Sequence, residues 1–344
     1  MLHHYRAEAN TDGITIETYL LKVAGLSPRT ALKKAFTTRQ IRINGRVVDR
    51  QQIVHTGDTI EIDAKATGLH ARSEATITAN PELPLIVLLE TPSWIAIAKP
   101  AGQNAHPLHP EESQTSLNGL VARYPETAIS CRPDKPLEGQ LVHRLDRGTS
   151  GILLCARNQA TFDLCRKQWG SPAMEKIYLA WVTGYLTEGR RLDLRLDHDP
   201  KSNRRMIAVD NPEKGRHAVT SFIPIKTVTL ANHEPVTLVL IRLHTGVMHQ
   251  IRASFKAIGH PVLCDPIYLQ KTAVPSPERF KPQPLDRDTY HLLEELRLRV
   301  VTLAEPDPES VPEQGFFLHA LWLRVPGIPL LEGGILAPVP KYFG

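Results

Sequence analysis

The amino-acid sequence predicts an α+β protein in two parts, and three observations carry that reading. Between residues 84 and 344, strand-like apolar runs outnumber helical ones and do not alternate with them one for one, which argues against a doubly wound sheet. No G-x-G-x-x-G stretch follows a strand and no P-loop is present, so a nucleotide cofactor is not indicated. Residues 13–65 carry a helix–helix–hairpin pattern of their own, and the following stretch, 66–83, lacks sustained apolar periodicity and reads as a linker.

The elements of the first part follow from local signals. Ile16, Tyr19, Leu20 and Val23 recur at helical spacing, and Gly25 ends that helix. Ser27 and Pro28 suit the cap and first turn of a second helix, whose buried stripe would be Ala31, Leu32, Ala35 and Phe36. Ile41-Arg42-Ile43 alternates like a strand, Asn44-Gly45 is a strong hairpin turn, and Val47-Val48 returns. Gly57-Asp58 then turns the chain into Thr59-Ile60-Glu61-Ile62.

The chain of 344 residues is long enough for more than one core, and its 42% apolar and 22% charged content is ordinary for a globular protein. No run of about eighteen apolar residues suggests a membrane span, and the start, MLHHYRAEANTDG, has no secretory core. A cytoplasmic protein is expected. Cys131, Cys155, Cys165 and Cys264 form no C-x-x-C pair and have no histidine pair at zinc spacing, so they read as reduced thiols with no metal.

Charge is more telling in its distribution than in its total of +5. From Lys22 to Arg50 there are eight basic residues against one acid, Asp49. Among them Arg29, Lys33, Lys34, Arg39, Arg42 and Arg46 are candidates for phosphate contact; a solvated helix face is the plain alternative. The stretches LSPRTALKKAFTTRQIRINGRVV and HTGDTIEI resemble the S-four RNA-binding domain, and the resemblance implies RNA as the partner of this basic cluster. Phosphate binding would weaken steeply with salt, because each neutralised phosphate releases counterions.

In the second part, residues 85–89 and 94–98 read as paired strands broken by Lys99-Pro100-Ala101-Gly102, and Thr115 to Leu120 enters a helix. Ala160 to Trp169 reads as a helix with Phe162 and Cys165 inward, and Lys176 to Val182 as a strand ended by Gly184. Leu192 to Val209 reads as a charged surface hairpin or loop, Thr237 to His244 as a strand, and Met248 to Phe255 as a helix ended by Gly259-His260-Pro261. Pro275 to Glu313, rich in proline and charge, is the least ordered-looking stretch, and Phe316 to Leu323 supplies a late strand or helix.

The stretch around which these elements are organised is LVHRLDRGTSGILLCARN, residues 141–158. It reads as a buried strand at Leu141-Val142, a tight polar loop, and a second buried strand from Ile152 to Ala156. The loop carries one carboxylate, Asp146, between Arg144 and Arg147. A structural ion pair is the plain reading; a carboxylate kept ionised and oriented by an arginine is the functional one, able to act as nucleophile or general base. His-Arg-Leu-Asp is not the kinase order His-Arg-Asp, and no Asp-Phe-Gly follows.

HRLDRGTSGILLCARN resembles the central motif of the RluA-type pseudouridine synthases. Lys176-Ile177-Tyr178 resembles their second motif, and TGVMHQIRASFKAIGHPVLCDPIY, residues 245–268, their third. IAKPAG with His106-Pro107 and Leu318-His319-Ala320 fit in register. The third stretch departs from the family pattern at Val247, Ser254 and Cys264, with Arg252 intact. The resemblance implies a pseudouridine synthase fold with a mixed, largely antiparallel central sheet, and an enzyme that isomerises uridine in RNA without cofactor or metal. Ribosomal RNA is the expected partner, with transfer RNA next; no membrane is involved and a monomer is expected.

The same resemblance assigns parts. Asp146 is the essential carboxylate, Arg252 its ionic partner, and Tyr178 lies against the uracil and helps remove the ring proton. Arg144 fills the gap left by a flipped base, with Lys176 and Arg147 also in contact with substrate. Histidines 143, 249 and 319 are assigned to scaffold hydrogen bonds. A catalytically silent RNA-binding assembly factor is the competing class, set apart by the joint presence of Asp146, Tyr178 and Arg252; a nucleoside hydrolase would need an aspartate cluster that the sequence lacks.

Overall fold

The computed structural model describes residues 2–8, 11–24, 26–27, 29–63, 70–71, 77–132, 135–269 and 283–344. The chain divides into two compact units, Met1–Ile77 with Arg132–Gly139, and Thr78–Cys131 with Gln140–Gly344. The first is larger than the 13–65 read from sequence, because β1 (Leu2–Arg6) precedes that segment and pairs antiparallel with β5 (Thr59–Asp63). Five residues reading Leu-His-His-Tyr-Arg carry no alternation that would announce a strand. Residues 66–69 and 72–76 of the expected linker lie outside the described residues; within it β6 (His70–Ala71) pairs with β2 (Leu26–Ser27).

In this first unit the sheet order is β1-β5-β3-β4, with β3 at Ile41–Ile43 and β4 at Arg46–Val47. Asn44 and Gly45 both adopt positive φ, 51° and 76°, as the tight hairpin requires. The first helix, α1 (Ile16–Thr18), continues as a π-helical turn over Tyr19–Val23. Ile16, Tyr19 and Leu20 enter the core, but Val23 is exposed, because the wider π turn rotates it off the apolar face. Leu32 and Ala35 of α2 (Arg29–Thr37) complete that core with Ile41, Ile60 and Ile62. Pro28, expected at the start of α2, lies outside the described residues, as does Gly25.

The second unit is built on a mixed sheet of ten described strands. Its order is β12-β11-β13-β14-β10-β15-β9-β8-β7, with β16 (Ile335–Leu336) beside β15. The strands are β7 (Val87–Glu90), β8 (Trp94–Lys99), β9 (Ser150–Ala156), β10 (Glu175–Thr183), β11 (Arg190–Asp199), β12 (Ser202–Ala208), β13 (Arg216–Thr229), β14 (Pro235–Leu243) and β15 (Leu318–Arg324). Every pairing is antiparallel except β15 with β9. The fold is therefore the α+β class expected, with a mixed, largely antiparallel central sheet.

Both faces of the central strands are covered. Alternate residues of β10 and β14 point to opposite sides, so Ala180, Val239 and Ile241 pack one way and Leu179, Leu238 and Leu240 the other. Each fully buried Val, Leu or Ile side chain among them contributes about 1.5–3 kcal/mol. The first face is covered by α5 (Gln250–Ala257) through Ile251 and Phe255. The second is covered by α6 (Arg287–Arg297) through Leu293 and Leu296. Helix α6 corrects the reading of 275–313 as poorly ordered: its buried stripe is narrow and its other faces are charged, so composition hid it. Residues 275–282 of that stretch lie outside the described set.

Two further corrections concern the sheet. The charged 192–209 segment is a hairpin, yet Leu192, Leu194, Leu196 and Met206 lie in the core. Leu141-Val142 is not a strand; Leu141 makes an isolated bridge to Cys155, and the Val142 N–H donates to the Leu154 carbonyl at 3.0 Å. Two residues are too few for a ladder, so the loop hangs from one strand, β9, in which Cys155 is buried as expected. Helices α3 (Ser116–Arg123), α4 (Gln159–Gln168) and α7 (Pro329–Glu332) complete the described α-helices of this unit. No helix among the described residues is long and apolar enough to cross a membrane.

Candidate active site

The loop 143–149 enters β9 beside β15, and two glycines set its closeness. A Cβ on Gly148 would come within 2.2 Å of the Phe316 ring, and one on Gly151 within 2.2 Å of the Ala320 carbonyl oxygen. Gly151 also has φ +114°, which side chains rarely adopt. In register across the sheet, Gly151 faces Ala320 and Ala320 faces Tyr178, so the loop, β15 and β10 meet along one row. Thr149 donates its N–H to the Asp146 carbonyl at 3.1 Å, tightening the turn.

Asp146 meets a residue 106 positions away. The Arg252 guanidinium donates to Asp146 Oδ2 at 2.9 Å and forks onto Asp265 at 2.6 and 3.0 Å. The Arg252 side chain is 4% exposed and Asp265 is fully buried, whereas Asp146 keeps 30% of its side-chain surface open. Burial alone would lower the Arg252 pKa, but hydrogen bonds and charge from Asp265, then from Asp146, hold it above the ordinary arginine value. The guanidinium lies over the Phe316 ring at 4.4 Å and the Tyr268 ring at 5.1 Å, which suits a planar, weakly hydrated cation. Phe316 thus touches both the loop and the arginine.

The helix that carries Arg252 is pinned at its start. Gln250 accepts from the Thr245 hydroxyl and the Val247 N–H and donates to the Val219 carbonyl and Thr220 hydroxyl, all within 2.9–3.0 Å. Asp265 accepts from the N–H groups of Ile267 and Tyr268 at 3.0 and 3.2 Å, an Asx-type turn. The residue before it, Cys264, has φ 61°, so a side chain occupies a left-handed position that glycine would fill without strain. Ser254, another departure from the family pattern, is fully buried and its hydroxyl has no hydrogen-bond partner among the described residues.

Tyr178 is half-buried on β10. Burial, and then the charge on Asp146, push its phenol well above the usual value, so it stays protonated. Beside it a cavity of about 30 Å³ is lined by His143, Trp169, Lys176 and Trp322 among others. That is room for water rather than for a base. His143 stacks on Trp169 at 4.9 Å and accepts the Leu154 N–H at 3.1 Å, a scaffold role consistent with burial lowering its pKa to about 3.

The remaining candidates sit differently. Lys176 is 8% exposed, turned toward the Thr245 carbonyl at 3.4 Å, and burial lowers its pKa to about 8. Arg147 is exposed and donates to the Gly102 carbonyl at 2.8 Å, away from the carboxylate that adjoins it in sequence. Arg144 is exposed on the loop, with its charge felt at His249. His319, inside β15, meets the Ser150 hydroxyl at 2.9 Å.

Of the basic residues of the first unit, Lys33, Lys34, Arg39, Arg42 and Arg46 are exposed, and the side chain of Arg29 lies outside the described set. Arg42 alternates with buried Ile41 and Ile43, so it leaves the sheet on the face away from α2.

Sequence reasoning missed two buried members of the site. Asp265 drew no role of its own within the 245–268 stretch, although Asp-Pro is a turn signal that could have marked it. Lys99 lies within the IAKPAG stretch but drew no role of its own. Its Nζ is held by the carbonyls of Pro100, Gln103 and Arg147 at 2.6, 2.7 and 3.1 Å, which ties β8 to the loop. Burial lowers its pKa to about 7, partly opposed by Asp146 and reinforced by Arg147.

A loop carboxylate gripped by a buried arginine beside a protonated tyrosine, on this mixed sheet, coincides with a family match. Residues 93–257 match the family model described as RNA pseudouridylate synthase, and the chain belongs to that family. It is 30% identical over 268 residues to the ribosomal large subunit pseudouridine synthase D of Nitrosomonas europaea, covering 78% of this chain and 72% of that one. An uncharacterized RNA pseudouridine synthase of Chloroflexus aurantiacus is 36% identical over 170 residues, 49% of this chain and half of that protein's length. Among solved structures, human RNA pseudouridylate synthase domain containing 1 shares the fold at TM-score 0.52 and 19% identity, over 79% of this chain and 86% of that one.

Proposed function

We propose that this chain isomerises specific uridines of ribosomal RNA to pseudouridine, with Asp146 as the reacting group. The observation that carries the reading is the Asp146–Arg252 pair: one oxygen is held at 2.9 Å by a buried cation while the side chain remains 30% open to a substrate. The reaction breaks the bond between N1 of uracil and C1′ of ribose and forms a bond from C5 to C1′. The proton on C5 is lost and N1 gains one, so neither electrons nor phosphate need a carrier. Support for ribosomal RNA comes from the names of relatives such as the Nitrosomonas europaea protein.

In this reading Arg252 keeps Asp146 aimed, and Asp265 keeps Arg252 in place. Tyr178 lies against the uracil as a neutral phenol. Exposed Arg144 fills the space of the flipped nucleotide, whose extrusion costs a few kcal/mol in a duplex and less in a loop. Arg147 and Lys176 hold the walls of the substrate site through the Gly102 and Thr245 carbonyls. The N-terminal unit, read as S-four-like, adds phosphate contacts from Arg29, Lys33, Lys34, Arg39, Arg42 and Arg46, and the protein works as a cytoplasmic monomer. Pseudouridine maps of ribosomal and transfer RNA from cells with and without the protein test the target. Sites lost only from ribosomal RNA are expected; sites lost only from transfer RNA would move the assignment there.

A further inference from the structure

His249 stands at the N-terminal cap of α5 with Nε2 3.8 Å from Asp146 Oδ2, the oxygen that Arg252 also holds. It makes no side-chain capping bond, and its backbone is left-handed at φ 53° and ψ 24°. A non-glycine residue in that region costs about 1 kcal/mol or more and persists only where the surroundings over-determine it. Here they do. Nδ1 lies 3.2 Å from the Tyr268 hydroxyl, and the two rings meet edge-on at 5.8 Å.

The proton on the ring can be placed by counting donors and acceptors. Tyr268 is 1% exposed, and its oxygen accepts the Met206 N–H at 2.8 Å. Among the described residues its hydroxyl hydrogen then has one acceptor, His249 Nδ1. A neutral imidazole that accepts at Nδ1 carries its hydrogen on Nε2, the atom facing Asp146. Burial, only partly opposed by Asp146, lowers the His249 pKa, which makes the neutral ring the resting form.

We propose that His249 is a positioning residue for the reaction: the Met206–Tyr268 relay fixes it as an Nε2–H donor, and with Arg252 it engages Asp146 Oδ2, leaving Oδ1 for the substrate. At 3.8 Å the contact is longer than a hydrogen bond, and active-site hydrogen bonds commonly tighten only when substrate is seated. This inference rests on Asp146 being the reacting group. It moves His249 from the scaffold histidines into the group that aims the carboxylate.

The test uses full-length variants and ribosomal RNA labelled with tritium at uracil C5, prepared from cells lacking the protein, with tritium release read in single turnover. His249→Asn tolerates a left-handed backbone but its amide stops short of Asp146. It is expected to slow release about 10- to 100-fold, the loss of one hydrogen bond to a charged group, with RNA affinity unchanged. His249→Gln, whose amide reaches the Nε2 position, should recover most of the rate. Release by His249→Asn at the wild-type rate, equal losses in both variants, or a loss confined to RNA affinity would overturn the proposal. Full release by Asp146→Asn in the same assay would remove the underlying reading as well. Nitrogen NMR of the imidazoles, with His249 assigned by its absence in His249→Gln, should show hydrogen on Nε2; hydrogen on Nδ1 would contradict the relay.

Discussion

Charge is arranged in opposite ways at the Asp146 centre and on the basic surface of the N-terminal unit. At the centre one guanidinium lies between two carboxylates, 4% exposed, with its orientation set by Asp265 and two aromatic rings. On the N-terminal unit Lys33, Lys34, Arg39, Arg42 and Arg46 are exposed to solvent. Buried charges interact strongly and fail together when one partner is removed, whereas exposed charges are screened and act additively. The first arrangement suits chemistry that needs one atom in one place. The second suits a partner with a repeating charge.

Substitutions at the centre should therefore be severe. Asp265→Asn leaves Arg252 short of its closest anion and is expected to cost about 3–5 kcal/mol of stability, measured by urea unfolding. A loss below about 1 kcal/mol would mean that the buried pair is loosely held. Arg252→Lys keeps the charge but loses the fork, and should lower the turnover rate by about 10²- to 10³-fold with RNA affinity little changed. If lysine sustains the wild-type rate, the planar geometry is irrelevant and the centre works as a simple field.

Lys99 sharpens the contrast through pH. Its pKa falls to about 7 in the folded protein from an ordinary 10.5. Between those values the unfolded chain holds a proton that the native state lacks, so stability rises with pH across the window, and the full penalty of the buried charge applies below about pH 7. Wild type should gain on Lys99→Met by up to about 4 kcal/mol between pH 7 and 10, read as a difference in unfolding midpoints. Parallel curves would show that the three carbonyls keep Lys99 charged throughout.

On the N-terminal unit the effects should be small and should sum. Lys33→Ala, Lys34→Ala and Arg39→Ala together are expected to weaken RNA binding and to reduce the slope of log affinity against log salt by about 0.7–0.9 for each phosphate no longer neutralised. An unchanged slope would take this surface out of the RNA footprint.

What could be read from the sequence divides along the same line. The loop was legible because its polar centre, glycines and apolar run into β9 lie within eighteen consecutive residues, 141–158. Arg252 was legible as the partner of Asp146 only through the family resemblance, since 106 residues separate them. Asp265, Lys99 and the His249–Tyr268 pair were not legible, because each acts from a different turn or strand and local patterning says nothing about which turns meet. β1 and α6 were missed for a simpler reason. One has too few alternating residues, and the other buries a narrow stripe beneath charged faces. Apolar patterning over-predicts a strand at Leu141-Val142, since two residues satisfy the pattern but cannot build a ladder.

The most direct measurement is carbodiimide-adduct primer extension on ribosomal RNA from cells lacking the protein, rescued with wild type or with Asp146→Asn. If Asp146 is the reacting group, adduct stops return with wild type and stay absent with Asp146→Asn, although the variant still binds RNA. Stops restored by Asp146→Asn would contradict that assignment.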